Sequence, residues 1–204
     1  MTALLSGTDL CLLRGERCLF EGINFALSTG ELLLVRGANG CGKTSLLRAI
    51  AGLTGFESGY ISWQGAPTDQ DRHSFSADVV WMAHRVGFKN DLTLIENLRF
   101  ETGLRSASLA KIDEVLERLG ISRLTDLPLR SLSAGQQRRV ALARMLISDA
   151  RLWLMDEPFT NLDAGGQALV IELISEHLRR DGACVMAAHQ EVEVDLPTHR
   201  LHIQ

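Results

Sequence analysis

The stretch Gly37-Ala38-Asn39-Gly40-Cys41-Gly42-Lys43-Thr44, with Ser45 behind it, decides how the rest of the chain is read. Before it stands Leu32-Leu33-Leu34-Val35, a continuous apolar run of the kind expected of a strand buried on both faces. After it, Lys43 to Ile50 reads as a helix. A glycine-rich turn between such a strand and a helix start is a phosphate cradle. Gly37, Gly40 and Gly42 let the backbone curl tightly, so that amides of the loop, those of Ala38, Asn39, Cys41 and Ser45 among them, are candidates to surround an anion. Lys43 adds a point charge for terminal phosphates, and the Thr44 hydroxyl can ligate Mg²⁺. The helix that follows aims its positive end at the same place.

Asp156 and Glu157 lie 113 and 114 positions after Lys43, at the end of the apolar run Leu152-Trp153-Leu154-Met155. A buried strand in an α/β fold delivers such residues to its C-terminal edge, where ligands bind. Asp156 can hold a Mg²⁺ shell through water, and Glu157 can polarise an attacking water as general base. Paired carboxylates at a strand end would alone be an ordinary solvated terminus; with the phosphate loop they read as a nucleotide hydrolase.

A second anion cradle begins at Leu132-Ser133-Ala134-Gly135-Gln136-Gln137-Arg138-Arg139, where Ser133 is an N-cap candidate for a helix over Gln136–Ile147. One chain has no use for two cradles on one phosphate, whereas two chains face to face do. Elsewhere the pattern alternates. Short β segments fill 2–35, with turn signals at Gly7, Arg14-Gly15 and Ser28–Gly30, and further strands are expected at Tyr60–Gln64, Val79–Ala83 and Ala183–Ala188. Helical periodicity marks Leu92–Phe100, Leu109–Leu119 and Gln167–Arg179. The sum is an α/β core with a helical insert.

These motifs in this order resemble the ATP-binding cassette (ABC) ATPase family, whose signature reads LSGGQ and here has Ala134 in place of the first glycine. Thr160-Asn161-Leu162-Asp163 is similar to the family's aspartate loop, and Ala188-His189-Gln190 to its switch histidine. The resemblance implies a P-loop nucleotide-binding domain with a mixed or parallel β core, an antiparallel β subdomain and a helical subdomain. Residues 1–84 and 151–204 would form the RecA-like core with its β subdomain, and 85–150 the helical part. It also implies ATP and Mg²⁺ as cofactors, held in a sandwich between two copies. Lys43, Glu157 and His189 would be catalytic, Thr44, Asp156 and His84 would serve the metal, and Ser133, Gly135, Gln136 and Asp163 would reach the partner copy's nucleotide.

Two positions depart from the family. His84, 12 residues before Glu96, stands where a glutamine is usual. A histidine there can keep the hydrogen bond and add pH sensitivity, because imidazole changes charge near pH 6–7. Arg14 stands where an aromatic usually stacks on adenine. A guanidinium plane stacks less selectively, so base recognition through Arg14 or nearby Phe20 should be loose.

Composition supports the same class. With 204 residues, 46% hydrophobic and 23% charged, the chain has the make-up of a globular domain. A net charge of −4 argues against a nucleic-acid-coating protein, so no nucleic acid partner is expected. No apolar run reaches the roughly 20 residues of a membrane span. The start, MTALLSGTDLCLLRGE, lacks a signal-peptide pattern. Cys11, Cys18, Cys41 and Cys184 have neither metal-type nor disulfide-framework spacing, which fits reduced cysteines in the cytoplasm.

The segments Arg14-Gly-Glu-Arg-Cys-Leu-Phe20, Met82-Ala-His-Arg-Val-Gly-Phe-Lys89 and Glu96–Phe100 further resemble the haem exporter ATPase subunits of bacterial cytochrome c maturation. That resemblance implies a peripheral motor on the cytoplasmic face of the inner membrane. Its partners would be an integral CcmB-like subunit with CcmC- and CcmD-like proteins, and it would have a functional link to a CcmE-like haem chaperone. No Cys-Pro motif or axial-ligand pair suggests haem on this subunit. Phe88, Leu92 and Leu94 are candidates to line the membrane partner's dock, or equally to fill the local core. An ABC ATPase for lipid, peptide or drug export, or a soluble non-transport cassette, remains the alternative.

Overall fold

The computed structural model describes residues 3–84, 87–104, 111–189 and 194–203, with the side chains of Thr102 and Leu104 excepted. Two sheets organise them. β1 (Leu5–Arg14), β2 (Arg17–Leu27), β4 (Ser58–Trp63) and β5 (Ala66–Pro67) form an antiparallel sheet in the order β2-β1-β4-β5. β3 (Leu32–Arg36), β6 (Val79–Met82), β7 (Leu152–Asp156), β8 (Ala183–Ala187) and β9 (Thr198–His202) form a parallel one in the order β6-β7-β8-β3-β9.

The central strands bury both faces, which is why their sequences read as unbroken apolar runs rather than alternations. Leu33, Val35, Leu152, Leu154 and Val185 join one core, shared with α1 (Lys43–Ile50) and the antiparallel sheet. Leu32, Leu34, Trp153, Met155 and Met186 turn the other way, into a core with four helices. These are α3 (Leu94–Leu104), α4 (Ile112–Arg118), α5 (Ala134–Ile147) and α6 (Ala164–Arg179); α3, α4 and α5 all lie between β6 and β7 in the chain. Among the described residues no helix is long and apolar enough to cross a membrane.

Several expectations need correction. Gly7 makes no turn: it pairs with Phe25 and Ile61 inside β1, and a Cβ there would fall 2.6 Å from the Phe25 ring. The helix expected from Leu92 starts at Leu94, because Thr93 and Glu96 form a reciprocal cap (Thr93 N–H to Glu96 Oε2 2.8 Å, Glu96 N–H to Thr93 Oγ1 3.2 Å). Two elements had no legible pattern. α2 (Arg72–Asp78) buries only Phe75, and β9 is a half-exposed edge strand of sequence THRLH. Leu109, Arg85, Val86 and Gln190 lie outside the described residues.

Candidate nucleotide site

All five strands of the second sheet run parallel, so their C-terminal ends share one edge. The phosphate loop leaves β3 there, Asp156 closes β7, His84 follows β6 and His189 follows β8. Arg14, Leu19, Asn39, Gly40, Gly42, Lys43, Thr44, Ser45, His84, Glu157, Thr160 and His189 surround one cavity of about 460 Å³ on this edge. Residues from six separate segments thus meet, as an open α/β sheet allows.

Within the loop, Lys43 is buried and its Nζ donates to the carbonyls of Gly37 (2.8 Å) and Ala38 (3.1 Å). The ammonium therefore sits inside the curl of backbone, at the N-terminus of α1. Gly42 caps that helix with a left-handed backbone (φ 115°), and Cys41 is buried beneath. At Gly37 nothing larger fits: a Cβ would lie 2.3 Å from the Ile203 carbonyl oxygen and 2.5 Å from Cys41 Sγ. Thr44 Oγ1 donates to Asp156 Oδ2 at 2.9 Å, and Asp156 is only 1% exposed. A hydroxyl and a buried carboxylate this close form a hard oxygen donor pair of the kind Mg²⁺ takes.

Glu157 has a left-handed backbone (φ 50°), and its N–H donates to Ala187 O at 2.9 Å across to β8. His189, beyond the end of β8, brings Nε2 to 3.1 Å from Glu157 Oε1. Arg36 Nη2 in turn donates to the His189 carbonyl at 3.4 Å.

Adenine-side expectations divide. Arg14 lines the cavity, as does Leu19. Phe20 does not: it is buried in the core, its ring 3.3 Å from where a Gly42 Cβ would stand. The strand's alternation is interrupted here, so two consecutive residues, Leu19 and Phe20, turn inward.

Ser133, Gly135, Gln136 and Asp163 are not on the wall of this cavity. Ser133 caps α5 in a reciprocal box: its Oγ accepts from Gln136 N–H at 3.2 Å, and Gln136 Oε1 accepts from Ser133 N–H at 2.9 Å. Gly135 packs on the aspartate loop, where a Cβ would meet the Asn161 carbonyl oxygen at 2.9 Å. Ala134, one residue earlier, is exposed, so its methyl group costs nothing sterically. Asp163 caps α6 by accepting from Gly166 N–H at 2.8 Å. Leu94 is fully buried in the helical core and presents no docking surface; Phe88 is half-buried under the Arg144 guanidinium, 5.3 Å from its ring centroid.

Arg138 had no assigned role in the sequence. It is 4% exposed, and its guanidinium donates to the carbonyls of Ala83 (3.1 Å), Asp156 (2.9 Å), Pro158 (3.1 Å) and Glu157. Burial lowers its pKa, and the neighbouring Asp156 and Glu157 charges oppose that shift. Arg138 stands three, four and seven residues before Ala141, Leu142 and Met145, but the apolar residues of α5 fall on more than one face, so no helical stripe marked it.

Comparison with known proteins identifies the family. The family model for ABC transporters matches residues 20–160. The cytochrome c biogenesis ATP-binding export protein CcmA of Methylococcus capsulatus is 45% identical over 194 residues, covering 94% of each chain. Its Escherichia coli K12 namesake is 40% identical over 191 residues, covering 94% of this chain and 91% of its own. Among solved structures, a putative ABC transporter ATP-binding protein from Pyrococcus furiosus superposes with a TM-score of 0.84 at 23% identity, covering 97% of this chain and 96% of its own. An ATP-binding subunit of an ABC transporter gives 0.84 at 23% identity, covering 91% and 79%. The P-loop edge and the two export proteins lead to one assignment: this chain is an ATP-hydrolysing member of the ABC transporter family, of the cytochrome c biogenesis ATP-binding export type.

Proposed function

We propose that this chain is the motor of a membrane complex for cytochrome c biogenesis, and that two copies clamp two ATP molecules between them. One observation carries the reading: the first cradle, Gly37–Thr44, opens into the cavity with Glu157 and His189, while the second, at the N-terminus of α5, stays off its wall. The second cradle is then free to meet the nucleotide of a facing copy, with Ser133, Gly135 and Gln136 at its γ-phosphate and Asp163 at the seam.

The chemistry follows from the residues present. Loop amides and Lys43 bind the β- and γ-phosphates. Thr44 and Asp156, with His84 as a further candidate, would hold Mg²⁺, which would neutralise charge developing on the phosphate oxygens. Glu157 accepts a proton from the water that attacks the γ-phosphorus, and ADP leaves as the P–O bond breaks. His189, whose Nε2 lies 3.1 Å from Glu157 Oε1, faces the γ-phosphate from the end of the neighbouring strand. Because ATP fills both half-sites only in the closed pair, it favours closure; a shift from 1:99 to 99:1 needs about 5.5 kcal/mol of differential affinity. The helices between β6 and β7 carry that movement, through His84, to a CcmB-like membrane subunit on the cytoplasmic face, beside CcmC- and CcmD-like proteins and in service of a CcmE-like chaperone.

The test is the oligomeric state of Glu157→Gln with saturating Mg-ATP, followed by light scattering, together with affinity capture of the chain from solubilised membranes. Nucleotide-dependent dimers and co-purifying cytochrome c maturation subunits are expected. A strictly monomeric variant, with or without its membrane companion, overturns the sandwich; capture of an unrelated permease overturns the pathway.

A further inference from the structure

Arg138 makes four donor bonds to backbone carbonyls of two segments that meet at the site: Ala83, directly before His84, and the consecutive residues Asp156, Glu157 and Pro158 at and just beyond the end of β7. None of these acceptors is a side chain: the nearby Asp156 and Glu157 charges favour the guanidinium, but its hydrogen bonds all go to the backbone. It shapes the main chain. The residue that most needs shaping is Glu157, a non-glycine at φ 50°, a conformation that persists only where surroundings over-determine it. Its N–H is taken by Ala187 O, and its carbonyl by Arg138 and by Thr160 N–H at 3.3 Å.

The helix that bears Arg138 is the same one whose first turn holds Ser133 and Gly135. A second arginine on it, Arg144, donates to Trp81 O at 2.7 Å, so α5 grips the end of β6 twice. A displacement of α5 is therefore transmitted to the backbone on both sides of the cavity. Only a planar fork with several fixed donors spans these acceptors; an ammonium cannot reach them together.

We propose that Arg138 is a positioning residue for hydrolysis: it holds the Glu157 backbone in its left-handed turn and ties that turn, with Ala83–His84, to the start of α5. This rests on Glu157 being the general base.

The experiment measures ATP turnover and ATP binding for Arg138→Gln, Arg138→Lys, Arg138→Gly and Glu157→Gln in the full chain, with melting temperatures for each. A misplacement of the base by about 1 Å is enough for roughly a 100-fold loss of kcat. Arg138→Gln should show a loss of that order, with ATP affinity and KM within about threefold of the parent on the same scale. Arg138→Lys should fall between, and millimolar guanidinium should restore part of the kcat of Arg138→Gly but none of Glu157→Gln. Should Arg138→Gln be too unstable to assay, the lysine variant and the guanidinium rescue decide instead. Full kcat in Arg138→Gln beside an inactive Glu157→Gln overturns the inference alone. A parallel fall of kcat, ATP affinity and melting temperature, with no rescue, also overturns it and leaves Arg138 a packing residue. Full turnover in Glu157→Gln sinks the base assignment instead.

Discussion

His189 Nε2 lies 3.1 Å from Glu157 Oε1, although the two residues leave the ends of neighbouring strands and are separated by 32 positions in the chain. The contact depends on β7 and β8 being paired in register, Asp156 opposite Ala187. His189→Ala should lower ATP turnover by about 10²-fold, the scale of a misdirected proton acceptor, with nucleotide affinity little changed. Steady-state hydrolysis and fluorescent-nucleotide titration would separate the two effects; equal losses in both would assign His189 to binding instead.

Thr44 and Asp156 share a 2.9 Å hydrogen bond behind the phosphate loop. Thr44→Val removes an oxygen donor while keeping the side chain's shape. It should raise the Mg²⁺ concentration for half-maximal hydrolysis by about tenfold, equivalent to about 1.4 kcal/mol. Chelation with EDTA should abolish turnover in the parent chain. A Mg²⁺ titration of the two proteins checks both statements.

Gly37 and Gly135 fail differently when enlarged. Alanine at Gly37 meets the Ile203 carbonyl at 2.3 Å and should cost about 1–3 kcal/mol of stability as overpacking. At Gly135 the clash with Asn161 O is softer, 2.9 Å, and a helical Gly→Ala change gains about 1 kcal/mol in propensity. Gly135→Ala should thus melt near the parent temperature while losing nucleotide-dependent pairing, because the start of α5 and the aspartate loop are pushed apart. Calorimetry and light scattering on both variants check the contrast.

His177 contributes to the loss of stability in acid. Its ring stacks on Trp153 (centroids 4.1 Å apart, planes 10° apart), and Nε2 lies 3.2 Å from the carbonyls of Arg151 and Ala183. Burial lowers its pKa from 6.5 to about 4, against the two carbonyls, which favour the charged form. The unfolded chain therefore binds the proton first as pH falls. Stability from this site is full above about 6.5, drains away between 6.5 and 4, and levels off below, a total of about 3 kcal/mol. Urea melts across that range should show the slope, and His177→Gln should flatten it.

His84 lines the cavity beside Lys43 and Glu157. If its imidazole reports on the nucleotide by hydrogen bonding, His84→Ala should lower ATP turnover by about tenfold, whereas His84→Gln should keep it within a few-fold of the parent. Steady-state hydrolysis by the two variants checks this, and full turnover in His84→Ala would leave the side chain without a role in the reaction.

What the amino-acid order determined by itself is whatever depends on neighbours in the chain. The phosphate loop, the buried strands β3, β7 and β8, and the cap at Ser133 are each written in a few consecutive residues, because backbone conformation and burial on both faces constrain adjacent positions together. Pairing in space was decided elsewhere. Only the folded sheet put His189 against Glu157, sent Phe20 under Gly42 while leaving Leu19 on the cavity wall, and drew Leu94 wholly into the core. Arg138 makes the division plain: nothing in the pattern of its helix marked it, and its acceptors include a carbonyl 55 residues away in the chain. Buried backbone acceptors leave no mark on residue identity, and the energetic demand for a donor arises only once the strands have removed them from water.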